Sequence, residues 1–138
     1  MDRDLGALLY ALTRAVVAAE EPVLRAQNLE MWDYVVLNRL AGASAPTQAT
    51  LAAAVGRDKT RLIPLLDRLE ARGLLRRTPD PDDRRNRIVA LTPEGRALVM
   101  RCRDGIRAME DELLAGLAAD DRDGLRRLLT RAAAELDV

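Results

Sequence analysis

Two short apolar-striped runs separated by only three residues constrain this chain more than any other feature. The stretch TLAAAVGRDKTRLIPLLDRLEARGLL occupies residues 50–75. One helix is expected to start at Thr47, whose hydroxyl suits the free N–H groups of a first turn, and to end at Gly56, which tolerates a left-handed stop. The next starts at Asp58, another N-cap residue, and buries Leu62, Leu65, Leu66 and Leu69 on one stripe. Gly73 supplies its stop. Ala52 is small where the two helices must approach, and Leu62 and Leu65 fall where the second packs on the first. A joint this short containing Gly is the geometry of a helix-turn-helix, whose second helix is free to enter a DNA major groove.

The rest of the chain frames that pair. Leu5, Leu8, Leu9, Leu12 and Val16 give a first helix from Asp4 to about Ala19, with Pro22 placed to end or bend it. Trp32, Val35, Val36 and Leu40 give a second from about Glu30 to Leu40, and GASAP at 42–46 breaks it. After the pair, LLRRT and RIVALT flank PDPDDRRN, which reads as a β-hairpin and the only strand pair. Thr92-Pro93-Glu94 restarts helix with a capping hydroxyl, Pro at the first helical position and an acid at the positive end of the dipole. That helix runs to about Ala115, and a last one follows Gly116–Asp120 to about Leu136. The fold class is mainly α with a small β-hairpin. With no Phe, one Trp and two Tyr, its core must be aliphatic.

Charge and residue inventory narrow the function. Basic and acidic residues balance at 22 each, but residues 57–96 hold eleven basic against seven acidic side chains, so the positive excess is concentrated where the hairpin and second helix of the pair lie. The chain has no His and a single Ser, Ser44, which excludes Ser-His and Cys-His nucleophiles and histidine-ligated metal within one chain. The acid pairs Glu20/Glu21, Asp82/Asp83 and Asp120/Asp121 could in principle serve acid–base chemistry, but each sits beside turn residues or Arg and reads as surface. No enzyme activity and no cofactor is expected. Cys102 alone closes no intrachain disulfide, and its place on an apolar stripe reads as core. The N-terminus lacks a secretory pattern and no apolar run reaches the roughly 20 residues of a membrane span, so a cytoplasmic protein without membrane contact is expected.

With its leucine stripe turned inward, the second helix of the pair presents Thr60, Pro64 and Asp67 outward, with Arg61 and Arg68 flanking. Arg61 has the forked donors that suit guanine O6 and N7, Thr60 suits a base edge or a phosphate, and Lys59 a phosphate. Arg57, in the turn, and Arg68 join this candidate DNA-binding set. Pro64 inside a helix costs about 3 kcal/mol and reads either as a groove contact or as a local bend. On the hairpin, Arg84, Arg85 and Arg87 suit a minor groove or phosphate backbone. Asp83 is expected to hold Arg85 by an ion pair. The alternative for all these residues is a solvated surface, and for the whole chain a protein–protein scaffold without DNA binding. The Leu and Ala stripes of helices 1, 5 and 6 exceed what a small monomer covers, which points to a homodimer.

From about Leu29 to Leu98 the chain resembles the MarR family of winged-helix regulators. DRLEARGL at Asp67–Leu74 carries the likeness, with the D-x-R of Asp83–Arg85 followed by Leu91-Thr92 and Gly95. The resemblance implies a winged helix-turn-helix lobe at 29–92 and a helical dimerisation region at 1–28 and 93–138. It implies recognition helices in adjacent major grooves of a pseudo-palindromic operator and wings reaching the minor groove, with Asp83 supporting Arg85. It further implies a transcription regulator, a repressor released by a small aromatic effector. Tyr10, Arg14, Met31, Trp32 and Tyr34 are the candidate lining of the effector cleft by location alone. Two departures stand out: Pro64 replaces the polar or basic groove residue of many members, and the N-terminal helix lacks the reactive Cys of the peroxide sensors.

Overall fold

The computed structural model describes residues 3–42 and 45–138. The first two residues and Ala43 and Ser44, part of the break placed at 42–46, lie outside the described residues. The element order is α1 (Leu5–Arg25), α2 (Met31–Ala41), α3 (Gln48–Val55), α4 (Lys59–Ala71), β1 (Leu75–Pro79), β2 (Arg87–Leu91), α5 (Pro93–Leu113) and α6 (Ala119–Glu135). Contacts divide the chain into one unit of residues 1–20 with 105–138 and another of residues 21–104, so the divisions fall inside α1 and α5.

In the 21–104 unit the aliphatic stripes converge. Leu24, Val36, Leu37, Leu51, Leu62, Leu66 and Val89 are fully buried, drawn from α1, α2, α3, α4 and β2. Capping follows the local chemistry. Thr47 Oγ1 accepts from the Thr50 amide at 3.1 Å and Asp58 Oδ1 from the Arg61 amide at 3.0 Å. Gly56 and Gly73 take left-handed φ values of 69° and 74°, the conformations that end α3 and follow α4.

Helix α1 continues to Arg25, past the Ala19 boundary and through Pro22. Proline removes one backbone bond, but continuation seats Leu24 at full burial, and such a leucine contributes about 1.5–3 kcal/mol, comparable to the cost of an interior proline. The hairpin pairs antiparallel from Leu75↔Leu91 to Pro79↔Arg87. It also gains a neighbour that periodicity did not reveal: Thr47 bridges Ile88, and the Val89 amide donates to the Pro46 carbonyl at 2.9 Å, which ties β2 to the start of α3.

The junction of α4, β1 and α5 explains why Gly73, Thr92 and Gly95 occur together. The Thr92 hydroxyl donates to the Gly73 carbonyl at 2.6 Å and accepts from the Gly95 amide at 3.0 Å, while the Thr92 amide donates to the Leu74 carbonyl. A Cβ on Gly95 would stand 1.9 Å from the Leu74 carbonyl oxygen, so only glycine lets α5 start against that backbone. Gly95→Ala is expected to destabilise the protein by about 3 kcal/mol, the upper end for overpacking, as read by denaturant unfolding.

The unit of residues 1–20 and 105–138 is built differently. Among its described residues only Ile106 is buried, whereas Leu5, Leu8, Leu9, Leu12, Leu128 and Leu129 are exposed. Helix α6 buries no residue at all. Polar contacts join α5 and α6 instead: Arg126 bonds Glu110 at 3.0 Å and Asp111 at 3.1 Å. Among the described residues no helix is long and apolar enough to cross a membrane.

Candidate nucleic-acid interface

Helix α4 has three faces, each set by what it touches. Leu62, Leu65, Leu66 and Leu69 are buried. One flank is tied to α2, where Arg68 Nη2 meets Asp33 Oδ1 at 3.0 Å. Asp33 is the buried charge of this unit and already accepts the Glu30 amide through Oδ2 at 2.9 Å as part of a capping box on α2. The other flank is tied to the hairpin through Asp67 and Glu70, which both bond Arg77 of β1. Between these flanks Lys59, Thr60, Arg61 and Pro64 are exposed. The helix runs unbroken through Pro64.

Four of the nine candidate DNA-binding residues therefore sit on the open part of α4. Arg68 shares the exposed surface, with 57% of its side chain accessible, while its guanidinium is held by Asp33. Arg57 is turned elsewhere: its guanidinium carbon lies 4.5 Å from the centroid of the Trp32 ring. Its Nε is buried without a hydrogen-bond partner among the described residues, and a cation–π contact worth about 0.5–2 kcal/mol offsets that desolvation. Arg57 and Trp32, assigned by sequence to two different sites, thus form one contact that fastens the helix-turn-helix joint to α2.

The hairpin tip, residues 80–86, is organised by carboxylates. Asp83 Oδ1 accepts from the Arg85 amide at 3.1 Å and lies 3.5 Å from Arg85 Nε, and Asp83 Oδ2 accepts from Asn86 Nδ2 at 3.4 Å. The shorter bond is to the backbone, so Asp83 fixes the turn that carries Arg85 more firmly than it fixes the guanidinium. Arg84, Arg85 and Arg87 are exposed, Arg85 with 92% of its side chain accessible.

Among the candidate effector residues, Tyr10 and Arg14 lie in the 1–20 and 105–138 unit and stack at 5.9 Å. Met31, Trp32 and Tyr34 lie in the other unit. Met31 lines a cleft of about 480 Å³ with Glu21, Arg25, Asn28, Leu29 and Glu30, while Trp32 is covered on one face by Arg57.

Three residues of this site escaped sequence reasoning. Ile63 is exposed beside Pro64 on α4, and only its place one residue outside the leucine stripe hinted at it. Asp33 acts through Arg68, thirty-five positions away, and Arg77 through Asp67 and Glu70 on the preceding helix and Gln48 on α3, pairings between elements that no pattern within one element signals. The hydrogen bond from the Arg77 guanidinium, working against desolvation, holds the Glu70 carboxyl below the usual carboxylate range.

A glycine-jointed helix pair followed by a two-stranded ribbon, with exposed cations on both the second helix and the ribbon tip, defines a winged helix-turn-helix protein. The sequence model of the MarR family matches residues 29–86. The multiple antibiotic resistance protein MarR of Salmonella typhimurium is 30% identical over 129 residues, covering 92% of this chain and 89% of that protein. Wild-type MarR from E. coli in its apo form superposes with a TM-score of 0.87 at 26% identity, over 96% of this chain and 98% of that one. The transcriptional repressor CouR, bound to a 23-mer DNA duplex, gives 0.78 at 31% identity over 94% and 92% of the two chains. The chain belongs to the MarR family of winged helix-turn-helix transcription regulators.

Proposed function

We propose that two copies of this chain bind a pseudo-palindromic DNA operator in the cytoplasm, with α4 of each in a major groove and the hairpin wing reaching the adjacent minor groove or phosphates. The observation that carries this reading is the exposure of Lys59, Thr60 and Arg61 on α4 together with Arg84, Arg85 and Arg87 on a ribbon fastened to that same helix. Arg61 reads a base edge, Thr60 a base edge or phosphate, Pro64 contributes shape, and Arg68 joins the groove surface while bonded to Asp33. Arg57 contributes through the joint that it fastens to Trp32. The uncovered leucines of α1 and α6 form the homodimer contact, because nothing in their own unit covers them.

CouR is a repressor, and repression is the reading we adopt for this chain. Release by a small aromatic effector would draw on Tyr10, Arg14, Met31, Trp32 and Tyr34. The lobe boundaries that fit this function are 29–92 for DNA binding and 1–28 with 93–138 for dimerisation. An anisotropy titration with the upstream region of the chain's own gene, at two salt concentrations, tests the reading. Affinity must fall steeply with salt, and binding that is absent or indifferent to salt contradicts it. Arg85→Ala is expected to weaken binding to all sequences about equally and to reduce the salt slope by about one.

A further inference from the structure

We infer that Arg77 is the positioning residue that sets the wing against the recognition helix, and that the acids Asp67 and Glu70 on α4 serve this clamp. Arg77 lies on β1, and only 12% of its side chain is accessible. Its amide donates to Glu70 Oε2 at 2.8 Å, its Nη2 to Glu70 Oε1 at 2.9 Å and also to Asp67 Oδ1, and its Nη1 to Gln48 Oε1 at 3.3 Å. One guanidinium therefore joins the wing strand to the first turn of α3 and to the last two turns of α4. Charge-assisted and multidentate bonds of this kind are the strong and directional ones.

The chemistry of the neighbours sharpens the assignment. Asp67 lies toward the open side of α4, with 59% of its side chain accessible, and Glu70 is also partly open. Two uncompensated carboxylates there would repel phosphate. Bonded to Arg77, they are neutralised and hold the ribbon that bears Arg84, Arg85 and Arg87. Apolar packing of Leu75 and Val89, the Thr47 bridge and the Pro46 carbonyl also anchor the hairpin, and Arg77 adds the side-chain hydrogen bonds that tie β1 to α3 and α4.

This inference rests on the DNA-binding reading, and the test separates the two. Glu70→Ala removes every bond from Arg77 to that side chain and also deletes a negative charge near the duplex. Electrostatics alone then predicts tighter binding, whereas the clamp predicts weaker binding. Kd on one operator duplex is measured for wild type, Arg85→Ala, Glu70→Ala, Arg77→Gln and the two double variants with Arg85→Ala. The clamp predicts that Glu70→Ala and Arg77→Gln each lose about tenfold in affinity. Arg85→Ala should cost about tenfold in wild type and under about twofold once the clamp is cut. An undiminished Arg85→Ala cost in both cut backgrounds, or tighter binding by Glu70→Ala, overturns the inference. Hydrogen exchange on the DNA-free proteins gives a readout independent of DNA. Amides of residues 75–91 should exchange faster in Glu70→Ala while those of α5 keep their protection, and unchanged hairpin protection overturns the inference even if the chain binds no DNA.

Discussion

A chain carrying Leu128→Asp and Leu129→Asp will be monomeric and will bind its operator at least about a hundredfold more weakly than wild type, because the second half-site contact loses the effective concentration that a dimer supplies. Both leucines lie on α6, a helix that buries no residue within its own chain, and they are 60% and 43% exposed. Leu5, Leu8, Leu9 and Leu12 of α1 add to the uncovered apolar surface of the same unit. A soluble monomer seldom leaves so many large aliphatic side chains in water, and two carboxylates buried in an apolar contact would carry a severe desolvation penalty. Since the leucines are exposed within the chain, the substitutions should leave the fold of the 21–104 unit intact. Analytical ultracentrifugation and anisotropy check both halves of the prediction. A variant that stays dimeric with full affinity would place the interface elsewhere.

Arg61→Ala will produce the largest single-residue change in sequence preference. Arg61 follows Thr60 in the first turn of α4, held at the helix start by the Asp58 cap, and its guanidinium has no hydrogen-bond or ion-pair partner among the described residues. A bidentate arginine at a guanine edge is worth about 1–3 kcal/mol, so affinity for the preferred site should fall about five- to a hundredfold while affinity for unrelated duplexes falls little. Arg85→Ala should behave differently. A phosphate contact weakens every sequence alike, whereas a base contact erases discrimination at one position. Competition titrations with single-base operator variants read the difference directly, and equal losses on all sequences would reassign Arg61 to the backbone.

Much of this architecture is written locally. The leucine spacing of α4, the Thr47 and Asp58 caps and the glycines at 56 and 73 each state their own conformation, and the structure places them accordingly. What local pattern did not convey depends on partners brought in from elsewhere. Pro22 would end a free helix, and α1 continues past it because the fold buries Leu24. Arg77 reads as one more cation on a basic ribbon until α3 and α4 surround it. Arg57 reads as one more DNA-binding cation until α2 brings the Trp32 ring beneath it. Pairs such as Asp33 and Arg68, thirty-five positions apart, have no signature in either segment alone. The candidate site was therefore legible as a set of exposed cations, and the contacts that hold those cations in place were not.

If α4 and the wing of two chains meet one duplex about a two-fold axis, the sites they select must carry that symmetry. The most direct test is to recover the preferred sites from a pool of genomic fragments and to measure how many chains bind each one. The recovered sites should be inverted repeats whose half-site centres lie about 10–10.5 base pairs apart, each occupied by two chains. Recovered sites without inverted symmetry, or a stoichiometry of one chain per duplex, would contradict it.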